Sequence, residues 1–120
     1  MKNSGNPFLE KAASAPNYNP IYNAPVMIVI SAETTEDKLT SEMNVANAAC
    51  AAQNMLIAAT ELELGSCYTA APTLAFMSPE LKAQVSIPEN ASPICTILVG
   101  YENETISQEK YPKTNVITYL

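Results

Sequence analysis

The sequence contains no histidine, no arginine and no tryptophan, and it has only three glycines among 120 residues. A Ser-His-Asp or Cys-His hydrolase needs an imidazole as general base, so hydrolases of that kind are excluded. The glycines, Gly5, Gly65 and Gly100, lie too far apart to form a glycine-rich phosphate loop. A nucleotide site in this chain would therefore need other hydrogen-bond donors.

Basic residues are also scarce, since six lysines stand against twelve acidic residues and the formal net charge is −6. A non-specific nucleic-acid binder or an anionic-membrane binder needs a basic surface, so neither partner is expected. Residues 43–60 form the longest stretch of low charge, but they include amides that are costly in lipid. No apolar run of signal-peptide length follows the polar N-terminus, and we expect a cytoplasmic protein without a transmembrane helix.

The three cysteines, Cys50, Cys67 and Cys95, form no C-x-x-C pair. Without histidine they cannot complete a common zinc site either. We expect free thiols.

Apolar residues make up 48% of the chain and charged residues 15%, which predicts a folded chain with much buried surface. We interpret residues 1–120 as one domain, in which residues 1–23 form a loop-rich segment broken by prolines. The β-branched run at residues 26–31 predicts a central strand buried on both faces. Residues 93–101 predict a second strand, and residues 116–120 a terminal strand or arm.

Residues 41–63 contain neither proline nor glycine and predict a long helix. Its apolar residues cover nearly every face, which is typical of a buried helix, and its many alanines allow another helix to approach closely. We expect this helix to be central and to cross its own copy in a dimer. The amides of Gln53 and Asn54 then need partners, and we favour contacts across that interface over contacts with a cofactor.

Two boundary signals follow the helix. Gly65 is expected to end it in the left-handed conformation, ahead of a short extended segment at residues 66–69. The Ser-Pro-Glu sequence at residues 78–80 combines an N-cap, a proline and an acidic first turn, and it predicts a short helix that ends near Val85.

Four segments resemble the nitroreductase family in order along the chain: residues 22–31 (YNAPVMIVIS), 51–59 (AAQNMLIAA), 61–68 (ELELGSCY) and 81–101. The resemblance implies an α+β sheet sandwich with a long central helix at the interface of a homodimer. It also implies FMN bound at that interface, and electron transfer from NAD(P)H to nitro compounds, quinones or similar electron-poor small molecules. No catalytic side chain is expected, because the hydride chemistry belongs to the flavin.

The resemblance further implies cofactor-binding positions. Family members place main-chain groups against the flavin at the turn that corresponds to Cys67, Tyr68, Thr69 and Ala70. An extended backbone there offers hydrogen bonds to the polar edge of the flavin, and Tyr68 offers an apolar face. The plainer alternative is that Cys67 and Tyr68 are core residues beside a helix end.

Lys110 and Lys113 correspond to the region in which relatives place a cation on the FMN phosphate. A lysine can act there as a point charge, although it lacks the fork of an arginine. The alternative is that both lysines belong to a solvated loop.

The sequence departs from the family in its N-terminal part. It has neither the Arg-Ser-x-Arg-like phosphate clamp nor the Pro-Ser-x-x-Asn-x-Gln-Pro-Trp-like flavin loop, so we expect a domain incomplete at the N-terminus, as a truncated product or a fragment. Glu63 also stands where relatives usually have glycine. Two alternatives to a reductase stay open: a truncated, non-catalytic remnant that dimerises without binding flavin, and an unrelated α/β domain that binds small molecules.

Overall fold

The computed structural model describes residue 7, residues 10–11 and residues 14–102 of the chain. Its regular elements are β1 (Val26–Glu33), α1 (Lys38–Glu61), β2 (Gly65–Thr69), α2 (Ala71–Ala75), α3 (Pro79–Gln84) and β3 (Ala91–Gly100). Residues 14–24, ahead of β1, run mainly through turns. The strand predicted at residues 116–120 lies outside the described residues.

The three strands form one antiparallel sheet in the order β1-β3-β2. β3 pairs with a neighbour on each side, and its residues Thr96 and Ile97 are both 0% exposed. β1 lies at an edge of this sheet, and Val26 is 49% exposed. The prediction of a central strand buried on both faces is therefore wrong for β1 in the described sheet, and it describes β3 instead. A run of β-branched residues predicts a strand. Which strand has a neighbour on each side depends on the order of the strands in the sheet, which the run itself does not show.

α1 lies across one face of the sheet and contacts it through alanines. Ala48 and Ala52 are 5% and 0% exposed, and they pack against Cys95 and Ile97 of β3. Because alanine side chains are short, the helix approaches the strand closely. The partly buried residues around this cluster are Ile28, Ile30, Leu56, Ile94 and Val99.

α1 begins at Lys38, slightly earlier than predicted, because Asp37 caps it. The Asp37 Oδ2 atom accepts a hydrogen bond of 2.7 Å from the backbone N–H of Thr40. Hydrogen bonds from the side chain and the backbone of Thr40 hold the pKa of the Asp37 carboxyl below its ordinary value, because they favour the ionised acceptor. The predicted start at residue 41 did not include this cap.

The C-terminal end of α1 is a Schellman motif. The N–H of Leu64 donates to the carbonyl of Ala59 at 2.9 Å, and the N–H of Glu63 donates to the carbonyl of Thr60 at 3.1 Å. Glu63 takes the left-handed conformation, with φ of 57°, whereas Gly65 is the first residue of β2. The prediction that Gly65 supplies the left-handed end is therefore wrong, and a glutamate holds a conformation that favours glycine.

In the described chain by itself, α1 is not buried on every side. Burial of its remaining faces depends on the second copy that we expect across the helix, so that part stays a prediction. Only Ala48, Ala52 and Ala59 of α1 are buried. On the opposite face, Met43 and Ile57 are 56% and 57% exposed. An exposed row, here called the α1 stripe, consists of Leu39, Met43, Ala46, Cys50, Gln53 and Ile57. Its members alternate four and three residues apart, which is the spacing of a helix-packing seam.

Two short helices, α2 and α3, connect β2 to β3. Ser78 is the N-cap of α3 with Pro79 in the first turn, as predicted. The Lys82 amine of α3 donates to the carbonyl oxygens of Glu89 and Ala91. These bonds tie the helix to the start of β3 and fix the direction in which the central strand enters the sheet.

Candidate cofactor-binding turn

Four of the predicted cofactor-binding residues lie together where β2 ends. Cys67, Tyr68 and Thr69 are the last three residues of β2, and Ala70 is the N-cap of α2. In the described sheet β2 pairs with β3 along one edge only. The other edge presents backbone groups that no described strand uses, although the Thr69 and Ala70 carbonyls accept hydrogen bonds from the Thr73 hydroxyl and the Leu74 N–H.

The side chains at this turn are accessible. Tyr68 is 48% exposed, and Cys67 and Ala70 are exposed as well. The alternative that Cys67 and Tyr68 are core residues is therefore wrong. A half-exposed tyrosine offers an apolar ring face and a polar tip to a planar ligand.

The surroundings of Tyr68 raise the pKa of its phenol. Burial by the surrounding chain raises its pKa above the ordinary value of 10.0, and the nearby Cys95 thiol acts in the same direction. Tyrosine is protonated at neutral pH even without this shift, so the phenol has an O–H that can donate a hydrogen bond.

A pair of buried hydroxyls lies beneath the turn. Thr73 of α2 and Thr96 of β3 are 7% and 0% exposed, and their Oγ1 atoms are 2.8 Å apart. The Thr73 hydroxyl also donates to the carbonyl of Thr69 at 3.3 Å. This pair was not expected from the sequence. The available signal was a threonine inside each of two apolar runs, since a buried hydroxyl needs a partner, but the sequence does not show that each is the other's partner.

A cavity of about 380 Å³ opens at the other end of β2. It is lined by Tyr22 and Pro25 from the turn before β1, Gly65 and Cys67 from β2, and Gly100 from β3, among others. Of the four predicted residues at the turn, it contacts Cys67 alone. The cavity and the turn are therefore neighbouring sites that meet at Cys67.

The predicted phosphate ligands, Lys110 and Lys113, lie outside the described residues. Two described lysines are engaged away from the turn. The Lys38 amine lies 3.8 Å from Glu42 Oε1 on α1, and Lys82 binds the carbonyls before and at the start of β3.

All three cysteines are free, as predicted, with Cys50 and Cys67 exposed and Cys95 buried. The part of the chain that the structure describes contains no cluster of His, Cys, Asp or Glu that could hold a metal ion. Within the same residues, no helix combines the length and the apolar character that crossing a membrane requires.

Comparison with known proteins supplies the family. The sequence model of the Nitroreductase family matches residues 3–101. The chain is similar to a nitroreductase with bound FMN from Bacteroides fragilis, with 27% identity, a TM-score of 0.79, and coverage of 99% of this chain and 63% of that one. No curated protein matches the chain.

Two further solved structures are similar over a smaller share of this chain. One is an FMN-dependent nitroreductase from Clostridium difficile, with 27% identity, a TM-score of 0.54, and coverage of 78% of this chain and 54% of that one. The other is a candidate NADH oxidase from Clostridium acetobutylicum, with 33% identity, a TM-score of 0.55, and coverage of 80% and 58%. The chain thus spans less than two-thirds of the length of each of these proteins.

The matched residues 3–101 include all of β1, α1, β2, α2, α3 and β3. The α+β, nitroreductase-like fold that the resemblance implied is confirmed by the structural similarity. Because the family model covers most of its length, the chain belongs to the nitroreductase family, whose solved members include flavoproteins with bound FMN.

Proposed function

We propose that this chain is an FMN-dependent NAD(P)H oxidoreductase that works as a cytoplasmic homodimer and reduces nitro compounds, quinones or similar electron-poor small molecules. Family membership supports the redox class. The observation that carries the proposal is the accessible turn from Cys67 to Ala70, at the free edge of β2.

The residues at the turn fit the ring of a flavin. The free edge of β2 offers N–H and C=O groups of the kind that match the alternating donors and acceptors on the polar edge of the ring. Tyr68 adds a half-exposed aromatic face and a phenol that is protonated at neutral pH. FMN, when bound, supplies the hydride and electron transfer, and the protein binds and orients it.

The phosphate of FMN needs a positive charge, and Lys110 and Lys113 are our proposal for it. Since the sequence has no arginine, only lysine can supply a side-chain cation near neutral pH. Two of the six lysines of the chain lie within this short stretch.

The proposed homodimer would use the α1 stripe. Its residues are exposed in the described chain, and a row of apolar and small residues at four-three spacing is typical of a helix that packs on another helix. Gln53 lies within the stripe, where its amide could meet a partner residue across the interface. Packing of two copies would also bury the apolar side chains that α1 now exposes.

The first test is a titration of the purified protein with FMN, in which binding is measured by flavin absorption and fluorescence. We expect micromolar or tighter binding, and oxidation of NADH or NADPH that depends on added FMN and on a nitro or quinone acceptor. Comparison of the two nucleotides identifies the donor. Absence of binding at high FMN concentration would contradict the proposal and favour the non-catalytic remnant.

A second experiment tests the phosphate ligands. The double variant Lys110→Ala/Lys113→Ala should weaken FMN binding while riboflavin, which lacks the phosphate, binds as it does to the wild type. The matched control is Lys11→Ala/Lys38→Ala, which removes the same charge from two exposed positions elsewhere. Equal weakening in both double variants would show an effect of net charge and would contradict a specific phosphate contact.

A further inference from the structure

The direction of the hydrogen bonds between Thr69, Thr73 and Thr96 is determined by proton counting. A threonine hydroxyl has one hydrogen to donate. The Thr73 hydroxyl donates it to the carbonyl of Thr69. The 2.8 Å contact between Thr73 and Thr96 must then use the hydrogen of Thr96. The chain of bonds therefore runs from Thr96 through Thr73 to the backbone of Thr69.

These two hydrogen bonds, here called the relay, connect the sheet to α2. Thr96 and Thr69 are partners across β3 and β2, and Thr73 lies one helical turn beyond Thr69. The hydrogen bonds therefore start at Thr96, pass through the buried Thr73 side chain and end at Thr69, which is the partner of Thr96 in the neighbouring strand. Since both hydroxyls are buried, water cannot replace either bond without opening the structure. The position of the Thr69 carbonyl is thus tied to the most buried part of the central strand.

We propose that Thr73 and Thr96 are positioning residues that hold the backbone of Thr69 and Ala70 in the geometry that binds the flavin ring. This inference rests on the proposed function, because it assigns those backbone groups to the cofactor. Neither hydroxyl touches the ring itself, since both lie beneath the turn and are buried. Their contribution is to prevent the end of β2 from moving relative to β3.

The test distinguishes the effect of the threonine hydroxyl from the effect of its methyl group. Thr73→Val and Thr96→Val keep the shape of threonine and remove the hydrogen bond, whereas Thr73→Ser and Thr96→Ser keep the hydroxyl and remove the methyl. The matched control is Thr60→Val. The Thr60 hydroxyl donates to the Leu56 carbonyl at 3.0 Å on an exposed part of α1, so this change removes the same type of bond away from the turn.

Two quantities are measured for each variant. The first is amide hydrogen exchange over residues 66–74 in the protein without FMN. The second is the dissociation constant for FMN. We expect both valine variants at positions 73 and 96 to speed exchange in this segment and to weaken FMN binding about tenfold, the size of one net hydrogen bond. Both serine variants should stay within about threefold of the wild type, and Thr60→Val should change neither quantity.

The outcomes that contradict the inference differ from those that contradict the proposed function. Normal exchange in Thr73→Val overturns the positioning role whether or not FMN binds. Faster exchange with unchanged FMN affinity overturns it as well, because the ordered turn would then not be a flavin contact. A larger effect from serine than from valine would show a packing role. A wild-type protein that binds no FMN overturns the inference together with the proposed function.

Discussion

Gly65 and Gly100 are direct partners across β2 and β3, but their surroundings differ. A Cβ atom at position 100 would lie 2.9 Å from Cδ of Pro25, which is part of a rigid ring. A Cβ atom at position 65 would lie 3.1 Å from Cγ of Glu102, which belongs to a flexible side chain. The close approach of Pro25 to the end of β3 therefore requires glycine at position 100 and not at position 65.

The two glycines are predicted to respond differently to alanine. Gly100→Ala should destabilise the protein by about 1–3 kcal/mol, because the proline ring or the strand must shift. Gly65→Ala should stay within about 0.5 kcal/mol of the wild type, since Glu102 can rotate away and alanine lowers the entropy of the unfolded chain. Urea denaturation measures both, and equal losses would contradict the role assigned to Pro25.

The left-handed glutamate at the end of α1 predicts a stabilising substitution. Glu63→Gly should raise the free energy of unfolding by about 0.5–1 kcal/mol, because relief of the left-handed conformation exceeds the added entropy of glycine in the unfolded chain. Glu63→Ala is the control, since it removes the charge but keeps the strain. If both variants gain stability equally, the effect comes from the charge and not from the backbone.

The cap at Asp37 predicts a pH dependence of stability. The folded-state pKa of this carboxyl is lowered, so its contribution is present above the unfolded value of about 3.8 and is lost as the pH falls through the lower, folded value. Asp37→Ala should therefore lower the melting temperature at neutral pH and have less effect in strong acid.

Asp37→Asn is the informative companion to that variant. Asparagine keeps an acceptor for the Thr40 N–H but does not titrate in this range. The acid-dependent part of the stability should disappear while most of the cap remains. A loss in Asp37→Ala that is the same at every pH would show that the charge of Asp37 is irrelevant.

The α1 stripe predicts the behaviour of charged substitutions in the proposed dimer. Met43→Glu/Ile57→Glu places four like charges in a packed dimer and should weaken self-association at least about tenfold. Met77→Glu/Val85→Glu is the matched control, because it adds the same charge at two exposed apolar residues outside α1, which are 57% and 40% exposed. Sedimentation equilibrium reports the dissociation constant. Unchanged association of the double variant would place any interface elsewhere.

Several features of the fold follow from local sequence. The absence of proline and glycine from residues 41–63 predicted α1 because helix propensity is a local property. The Ser-Pro-Glu sequence predicted the start of α3 for the same reason. The candidate turn was located by a resemblance carried by the short sequence around Gly65 and Cys67. In each case neighbouring residues contain the whole signal.

Other features depend on which segments meet in space. The apolar run of β1 looks like a central strand, yet β3 takes that place because it pairs on both sides. The helix end was assigned to the nearest glycine, whereas the backbone needed a left-handed residue at Glu63. Which apolar strand is central, and which residue takes the left-handed conformation, both depend on the path of the chain. Composition does not specify that path.

The sequence by itself indicated the nitroreductase family, through the four segments that resemble it, and the lack of histidine excluded histidine-dependent hydrolysis. It also predicted the long helix, although not its exact ends, and located the candidate turn that follows it. Only the tertiary structure showed the buried bonds from Thr96 through Thr73 to Thr69 and the exposed stripe on α1. The physical reason is that a buried hydroxyl is satisfied, and an apolar face is covered, by residues that are distant in sequence and meet only when the chain folds.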